Sequence, residues 1–339
     1  MKLSTPRWWY VRQDRQRAGG MPTLRLLLAP ASWVWTAATA RRIARATPFD
    51  PGVPVICIGN LTLGGVGKTP VVRTLAERLA ARGKAAHLLS RGYGGRLPGP
   101  VRVDPAIHGA ADVGDEPLML AKDYPVWVAR DRAAGARAAA AAGAQVIVMD
   151  DGHQNPAVRK ALSLVVVDGE TRGEDWPFGD WRVFPAGPMR EPLAAGLARA
   201  DAVLILLPGD VAESDRGLTA LLAGPTLLTG HLQPAAPPPP GPQVGFAGIG
   251  KPWKVQRALE AAGCDLADFA SFPDHAAYDA ATLGRLADRA KVFEAGLVTT
   301  EKDWVRLPPA WRERVTGWPV RAVFDDPAAL DALLAKIGL

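Results

Sequence analysis

The segment that most restricts the fold is residues 53–69, Val-Pro-Val-Ile-Cys-Ile-Gly-Asn-Leu-Thr-Leu-Gly-Gly-Val-Gly-Lys-Thr. An apolar run that reads as a buried strand enters a glycine-rich turn, and helical spacing then continues through Arg82 to a stop at Gly83. That order aims backbone N–H groups and a helix N-terminus at an anion. It predicts a phosphate-binding loop built on Gly64, Gly65, Val66 and Gly67, with Lys68 on the β- and γ-phosphates of a nucleotide and Thr69 on Mg²⁺.

The common phosphate-loop pattern has glycine at position 62, where this chain has Thr62; the 64–69 run is similar to the variant loop of ParA-like proteins and metabolite kinases. A second apolar strand ending at Met149 delivers Asp150 and Asp151 to its C-terminal end, where a parallel sheet collects its ligands. Carboxylates there suit a phosphate-bound Mg²⁺, held directly or through water. Three further clusters fall in loops: Ser90-Arg91-Gly92-Tyr93-Gly94-Gly95, Gly114-Asp115-Glu116-Pro117, and the run 185–192 that contains Arg190 and Glu191. Arg91, Arg130 and Arg132 are candidates to stabilise charge on a transferring phosphoryl group, and spacing does not choose among them.

Charge distribution narrows the partners. The net charge is +6, yet residues 1–47 carry +8, from Lys2, Arg7, Arg12, Arg15, Arg17, Arg25, Arg41, Arg42 and Arg45 against Asp14. The remaining body is therefore slightly acidic, which speaks against a nucleic-acid face. The basic arm is interleaved with Trp8, Trp9, Tyr10, Trp33 and Trp35, and Leu24, Leu27, Leu28, Ala31, Trp35 and Ala38 recur at helical spacing. This predicts an amphipathic helix, or helix pair, lying on an anionic membrane surface. The apolar run 26–40 contains Pro30 and is shorter than the roughly 20 residues that span a bilayer. A secretory signal peptide fits less well, because a nucleotide site follows. The two cysteines, Cys57 and Cys264, make no metal-binding spacing with the five histidines, so any metal is expected on oxygen ligands.

Proline-rich residues 233–243 read as a stiff linker. The expected organisation is a basic, Trp-rich helical segment over 1–50, a P-loop NTPase-like α/β core with a parallel sheet over 51–232, the linker, and a smaller C-terminal α/β domain over 244–339. The smaller domain contains a strand-turn-helix unit at 244–262, the run Ser271-Phe-Pro-Asp-His275, and a strand ending at Thr300. Its glycines at 245, 248 and 250 do not follow the dinucleotide-binding spacing.

Read in order, Gly59-Asn60 with the Gly-Gly-Val-Gly-Lys-Thr-Pro loop, Ser90-Arg-Gly-Tyr-Gly, Gly114-Asp-Glu-Pro, Asp150-Asp-Gly-x-Gln154, the run 185–192, Phe246-Ala-Gly-Ile-Gly, Ser271-Phe-Pro-Asp-His and Thr299-Thr-Glu-Lys-Asp resemble the tetraacyldisaccharide 4'-kinases of lipid A biosynthesis. The resemblance implies a monotopic enzyme at the cytoplasmic face of the bacterial inner membrane. Its reaction would be ATP-dependent phosphorylation of the 4'-hydroxyl of a tetraacylated glucosamine disaccharide 1-phosphate, with Mg²⁺ and no obligate protein partner. By motif, Lys68 and Thr69 hold phosphate and metal, Asp150, Asp151 and Glu116 serve the metal, and Asp115 accepts the proton with His275 as its partner. Arg91, Gln154, Arg190 and Glu191 line the site. His153 and Asn155 depart from the family pattern, which commonly has an apolar residue and a histidine there. The rival readings are a ParA-like ATPase switch and a soluble metabolite kinase; Leu63 stands where the former group has its signature lysine.

Overall fold

The structure is a computed structural model that describes residues 6–10, 21–172 and 176–339. Lys2, Arg12, Asp14, Arg15 and Arg17 of the expected basic arm lie outside the described residues. The strands are β1 Val55–Gly59, β2 Ala86–Ser90, β3 Val101–Arg102, β4 Val126–Val128, β5 Val146–Asp150, β6 Leu162–Asp168, β7 Ala202–Leu207, β8 Thr226–Pro234, β9 Gln243–Ala247, β10 Leu266–Ser271, β11 Gly296–Thr300, β12 Val315–Trp318 and β13 Val320–Phe324.

β1, β5, β6 and β7 are buried along their whole length. Strands covered on both faces need no polar alternation, hence the continuous apolar runs in the sequence. They form the middle of a nine-stranded sheet ordered β13-β8-β7-β6-β1-β5-β2-β4-β3. Its pairs are parallel except β13 with β8 and β3 with β4. The helix Lys68–Ala81 buries Val71, Val72, Leu75, Ala76 and Leu79 against the sheet, in one core with residues from β1, β2, β5, β6 and β7. A second sheet, ordered β10-β9-β11-β12 and parallel throughout, has its own core around Phe246, Tyr278, Leu283 and Val298.

The chain returns to the large sheet at its end, which differs from the expected 244–339 unit. β13 pairs antiparallel with β8, and the helix Pro327–Ala335 places Leu330, Leu333 and Leu334 in the large core. Arg78 and Arg82 of the phosphate-loop helix both bind Asp331 on that last helix. The expected linker also shortens: Gln233 and Pro234 finish β8 and Gln243 begins β9. Two crossings therefore join the two sheets, one between β8 and β9 and one between β12 and β13.

The N-terminal helix, Pro22–Arg45, runs 24 residues through Pro30 without dividing into a pair. Of the expected apolar positions, Leu27, Ala31, Trp35 and Ala38 are exposed and Leu24 and Leu28 are half-buried. The residues it buries are Arg25, Ser32 and Thr39, spaced by seven, while Leu26, Leu27, Trp33 and Val34 are mostly exposed. The inner stripe is polar because it has partners on the protein: Arg25 pairs with Asp180 at 2.7 Å, and Ser32 Oγ donates to Val183 O at 2.8 Å. Among the described residues no helix is long and apolar enough to cross a membrane.

Candidate active site

The site gathers at the C-terminal ends of β1, β2 and β5, where loops from both sheets meet. The loop after β1 ends at Gly67, whose φ of 85° caps the following helix. A β-carbon there would lie 2.8 Å from Leu206 Cδ1, so glycine satisfies both backbone and packing. Lys68 Nζ donates to Asn60 Oδ1 at 3.1 Å and stands 3.4 Å from Asp151 Oδ1. Asn60 in turn donates to Thr62 O at 2.7 Å, which folds the loop back on itself.

Asp150 and Asp151 follow β5 in opposite electrostatic settings. Asp151 is pushed up by burial, but Lys68 and Arg190, the latter at 2.8 Å, outweigh this and hold it below the usual carboxylate range. Asp150 is pushed up to about 7 by burial and then by the charge of Glu116, and its Oδ1 has no hydrogen-bond partner. A buried carboxylate oxygen left unsatisfied, facing a second carboxylate, is a place short of positive charge. That fits a divalent cation. Among the described residues no three His, Cys, Asp or Glu side chains form a complete ligand cage. The two carboxylates of Asp150 and Asp151 are a donor set of the kind a hard cation takes when waters and phosphate oxygens complete its shell.

Arg190 ties the 183–191 segment to the phosphate loop: its Nε donates to Thr62 O at 3.0 Å and its backbone N to Leu61 O at 2.8 Å. Gln154 Nε2 donates to Asn60 O and to Glu191 Oε1, and Glu191 is held by Arg199. Gln154, Arg190 and Glu191 thus brace the phosphate loop from one side. Arg91 is exposed in the loop after β2. Arg130 is exposed and donates to Arg96 O, whereas Arg132 is buried and donates to Ala129 O at 2.7 Å. Burial draws the Arg132 guanidinium down to about 10, and its hydrogen bonds to Ala129 O and Asp150 O tie the ends of β4 and β5 together. His153, one of the two departures from the family pattern, is also structural. Its ring bridges Ser163 Oγ and Gly196 O, each at 2.9 Å, and burial pushes its pKa down to about 4.

Asp115 opens a short helix, Asp115–Leu120, directly after Gly114. Gly114 has φ 93°, and a β-carbon there would meet Tyr93 O at 2.6 Å, so this tight approach brings the Ser90–Gly95 loop against Asp115. Asp115 is buried; its Oδ1 accepts the Glu116 backbone N–H and its Oδ2 meets His275 Nδ1, both at 2.9 Å. Burial pushes its pKa up, but the His275 hydrogen bond and the charges of Lys302 and Arg306 prevail and hold it at about 2. His275 comes from the second sheet, in the loop after β10, and the Tyr93 ring lies 5.4 Å from its ring. The same side of the cleft supplies Gly250, where a β-carbon would sit 3.4 Å from Gly65 N of the phosphate loop. Two residues without a role in the sequence reading also join here. Lys302 bridges to Glu116 at 3.0 Å, and Arg306 Nε lies 3.7 Å from Asp115 Oδ2. Lys302 belongs to the Thr299–Asp303 motif, but nothing in its spacing points to Glu116, 186 positions away.

Known proteins place this arrangement in context. The sequence matches the family described as tetraacyldisaccharide-1-P 4'-kinase over residues 24–338. It is 70% identical over 337 residues to the tetraacyldisaccharide 4'-kinase of Phenylobacterium zucineum, covering 99% of this chain and 100% of that one. The protein of the same name from Maricaulis maris is 51% identical, with 99% and 96% covered. Among solved structures, the crystal structure of LpxK from Aquifex aeolicus in complex with ATP has a TM-score of 0.74. It is 24% identical and the match covers 93% of this chain and 100% of that one, a likeness of fold.

Proposed function

This chain belongs to the tetraacyldisaccharide 4'-kinase family, and from that premise we propose that it transfers the γ-phosphoryl group of ATP to the 4'-hydroxyl of a tetraacylated glucosamine disaccharide 1-phosphate. The observation that carries the reading is the Asp115–His275 pair, formed across the two sheets at 2.9 Å beside a phosphate loop with a buried carboxylate short of positive charge.

In this reading the loop 64–67 and the helix N-terminus at Lys68 hold the nucleotide phosphates. Lys68, now shared between Asn60 and Asp151, turns its charge to the β- and γ-oxygens. Thr69, Asp150 and Asp151, with Glu116 nearby, would hold Mg²⁺, which neutralises charge on the transferring group. The acceptor oxygen forms its bond to phosphorus as the bond to the β-phosphate oxygen breaks and ADP leaves. The proton of the acceptor passes to the Asp115–His275 pair; Asp115 is ionised at neutral pH, as a proton acceptor requires. Arg190 and Gln154 brace the loop, and Arg91, exposed in the loop beside Asp115, would meet phosphate in this reading.

The outward face of the Pro22–Arg45 helix, with Leu26, Leu27, Trp33 and Val34 exposed and Arg41, Arg42 and Arg45 at its end, supports docking on an anionic bilayer. ATP supply then places the site at the cytoplasmic face of the inner membrane.

The test is mass spectrometry of the lipid after incubation of the purified protein with Mg-ATP and tetraacyldisaccharide 1-phosphate in detergent. One added phosphate, located on the 4' oxygen by fragmentation, is expected. Asp115→Ala and His275→Ala should each sharply reduce that gain, leaving a measurable residue, while ATP binding survives, and Lys68→Ala should lose both. Hydrolysis of ATP with no phosphorylated lipid would refute the assignment.

A further inference from the structure

His275 has a φ of 56°, a left-handed conformation that costs a non-glycine residue roughly 1–2 kcal/mol and needs surroundings that enforce it. The enforcing group is found 31 positions later in the chain. Arg306, whose side chain is 9% exposed, donates through Nη2 to Gly248 O at 2.9 Å and through Nη1 to Ala276 O at 3.1 Å. Gly248 O is also the acceptor of the His275 backbone N–H, and Ala276 is the residue after His275. Both backbone attachments of the histidine therefore converge on one guanidinium.

The guanidinium is itself fixed. It pairs with Asp303, which is fully buried and also accepts from Gly248 N at 3.0 Å, Tyr278 OH at 2.6 Å and Thr300 Oγ1 at 2.6 Å. The Tyr278 ring lies 5.6 Å from the guanidinium carbon. On its remaining side Arg306 Nε donates to Lys302 O at 3.2 Å and lies 3.7 Å from Asp115 Oδ2, the oxygen that meets His275 Nδ1. A planar fork with donors in fixed directions can hold three carbonyls and a carboxylate at once beside a second carboxylate; an ammonium cannot.

We infer that Arg306 is a positioning residue of the phosphoryl transfer, setting the His275 ring against Asp115 from the backbone side. The inference rests on the reading of Asp115 and His275 as the pair that handles the acceptor's proton. Arg306 meets neither phosphate nor acceptor; it acts through the pair. A residue that only held the second sheet together would destabilise the fold without selecting the chemical step.

The experiment compares steady-state kinetics of the full chain, Arg306→Lys, His275→Ala and the double variant with Mg-ATP and tetraacyldisaccharide 1-phosphate. Arg306→Lys keeps the charge and loses the fork. Its kcat should fall about a hundredfold, the order expected for a misplacement near 1 Å, with KM for Mg-ATP within about twofold of the parent. In the His275→Ala background the same substitution should change kcat by less than about threefold, because its target is gone. Arg306→Ala supplies the second measurement: millimolar guanidinium should restore part of its kcat. Parental kcat in Arg306→Lys, an equal fall with and without His275, or no guanidinium rescue of folded Arg306→Ala would each overturn the inference. Parental turnover in His275→Ala would instead remove the reading on which it rests.

Discussion

The buried ion pair under the N-terminal helix allows a prediction whose sign depends on how it is broken. Arg25 and Asp180 are each 1% exposed and 2.7 Å apart. Burial drives Arg25 down and Asp180 up, so each is pushed toward its neutral form and stays charged because of its partner. Asp180→Asn removes the carboxylate and leaves the guanidinium with the Trp8 carbonyl and ring. Removing one member of a buried pair costs about 3–5 kcal/mol. Arg182, at 3.0 Å from Asp180, is 45% exposed and its loss as a partner adds little. At roughly 2–4 °C per kcal/mol for a unit of this size, thermal unfolding should move down by about 10 °C. Replacing both, Arg25→Met with Asp180→Leu, should return stability to near the parent, because neither charge is then stranded. The assay is a thermal melt of the three proteins in one detergent, with trypsin cleavage at Arg41, Arg42 and Arg45 reporting release of the helix. A double variant as unstable as Asp180→Asn would refute the reasoning, since the loss would then come from packing and not from an unpaired charge.

Two further outcomes follow from the site. His153 has a folded pKa near 4 against an ordinary 6.5, so between these values the unfolded chain binds more protons and stability falls as the pH drops from 6.5 to 4. The loss is on the order of 3 kcal/mol, and His153→Gln should flatten that slope in denaturant titrations at stepped pH; an unchanged slope would assign it elsewhere. Gly67→Ala places a β-carbon 2.8 Å from Leu206 Cδ1 at a φ of 85° and should weaken Mg-ATP binding about tenfold, some 1.4 kcal/mol. Gly52→Ala, with φ 78° but open space around it, should leave the affinity unchanged in calorimetric titration, and equal effects would exclude the steric explanation.

The features that were legible in the sequence are those carried by short contiguous runs. The strand, loop and helix of 53–69 appear as read, because period, glycine and lysine all lie within one turn of chain. Asp150 and Asp151 could be placed at a strand end because β5 is buried on both faces and its apolar run stops there. What was not legible is pairing over distance. Val320–Phe324 has an ordinary strand pattern, and nothing local says that it crosses back to β8 instead of extending the second sheet. Arg306 carries no motif, and its place behind His275 comes from the loops after β9 and β11 folding together. The face of the N-terminal helix that meets the protein was not legible either. Arg25 and Ser32 find their partners at Asp180 and Val183, far along the chain, and nothing local sets them apart from the other polar residues of the helix, Thr23, Thr36, Arg41, Arg42 and Arg45.

That inward polar stripe has a geometric consequence. Arg25, Ser32 and Thr39 key the helix to the protein at one azimuth, and a turn of a single residue would carry Arg25 away from Asp180 and Ser32 away from Val183. Trp35 Nε1 on Arg190 O and Arg42 on Gln154 O pin the same helix to two of the residues that brace the phosphate loop. Whatever plane Leu26, Leu27, Trp33 and Val34 rest upon, the mouth of the cleft therefore stands at one fixed bearing to it. On the proposed bilayer docking the helix would work as a keel and settle the direction from which a long-tailed acceptor arrives before the acceptor is met.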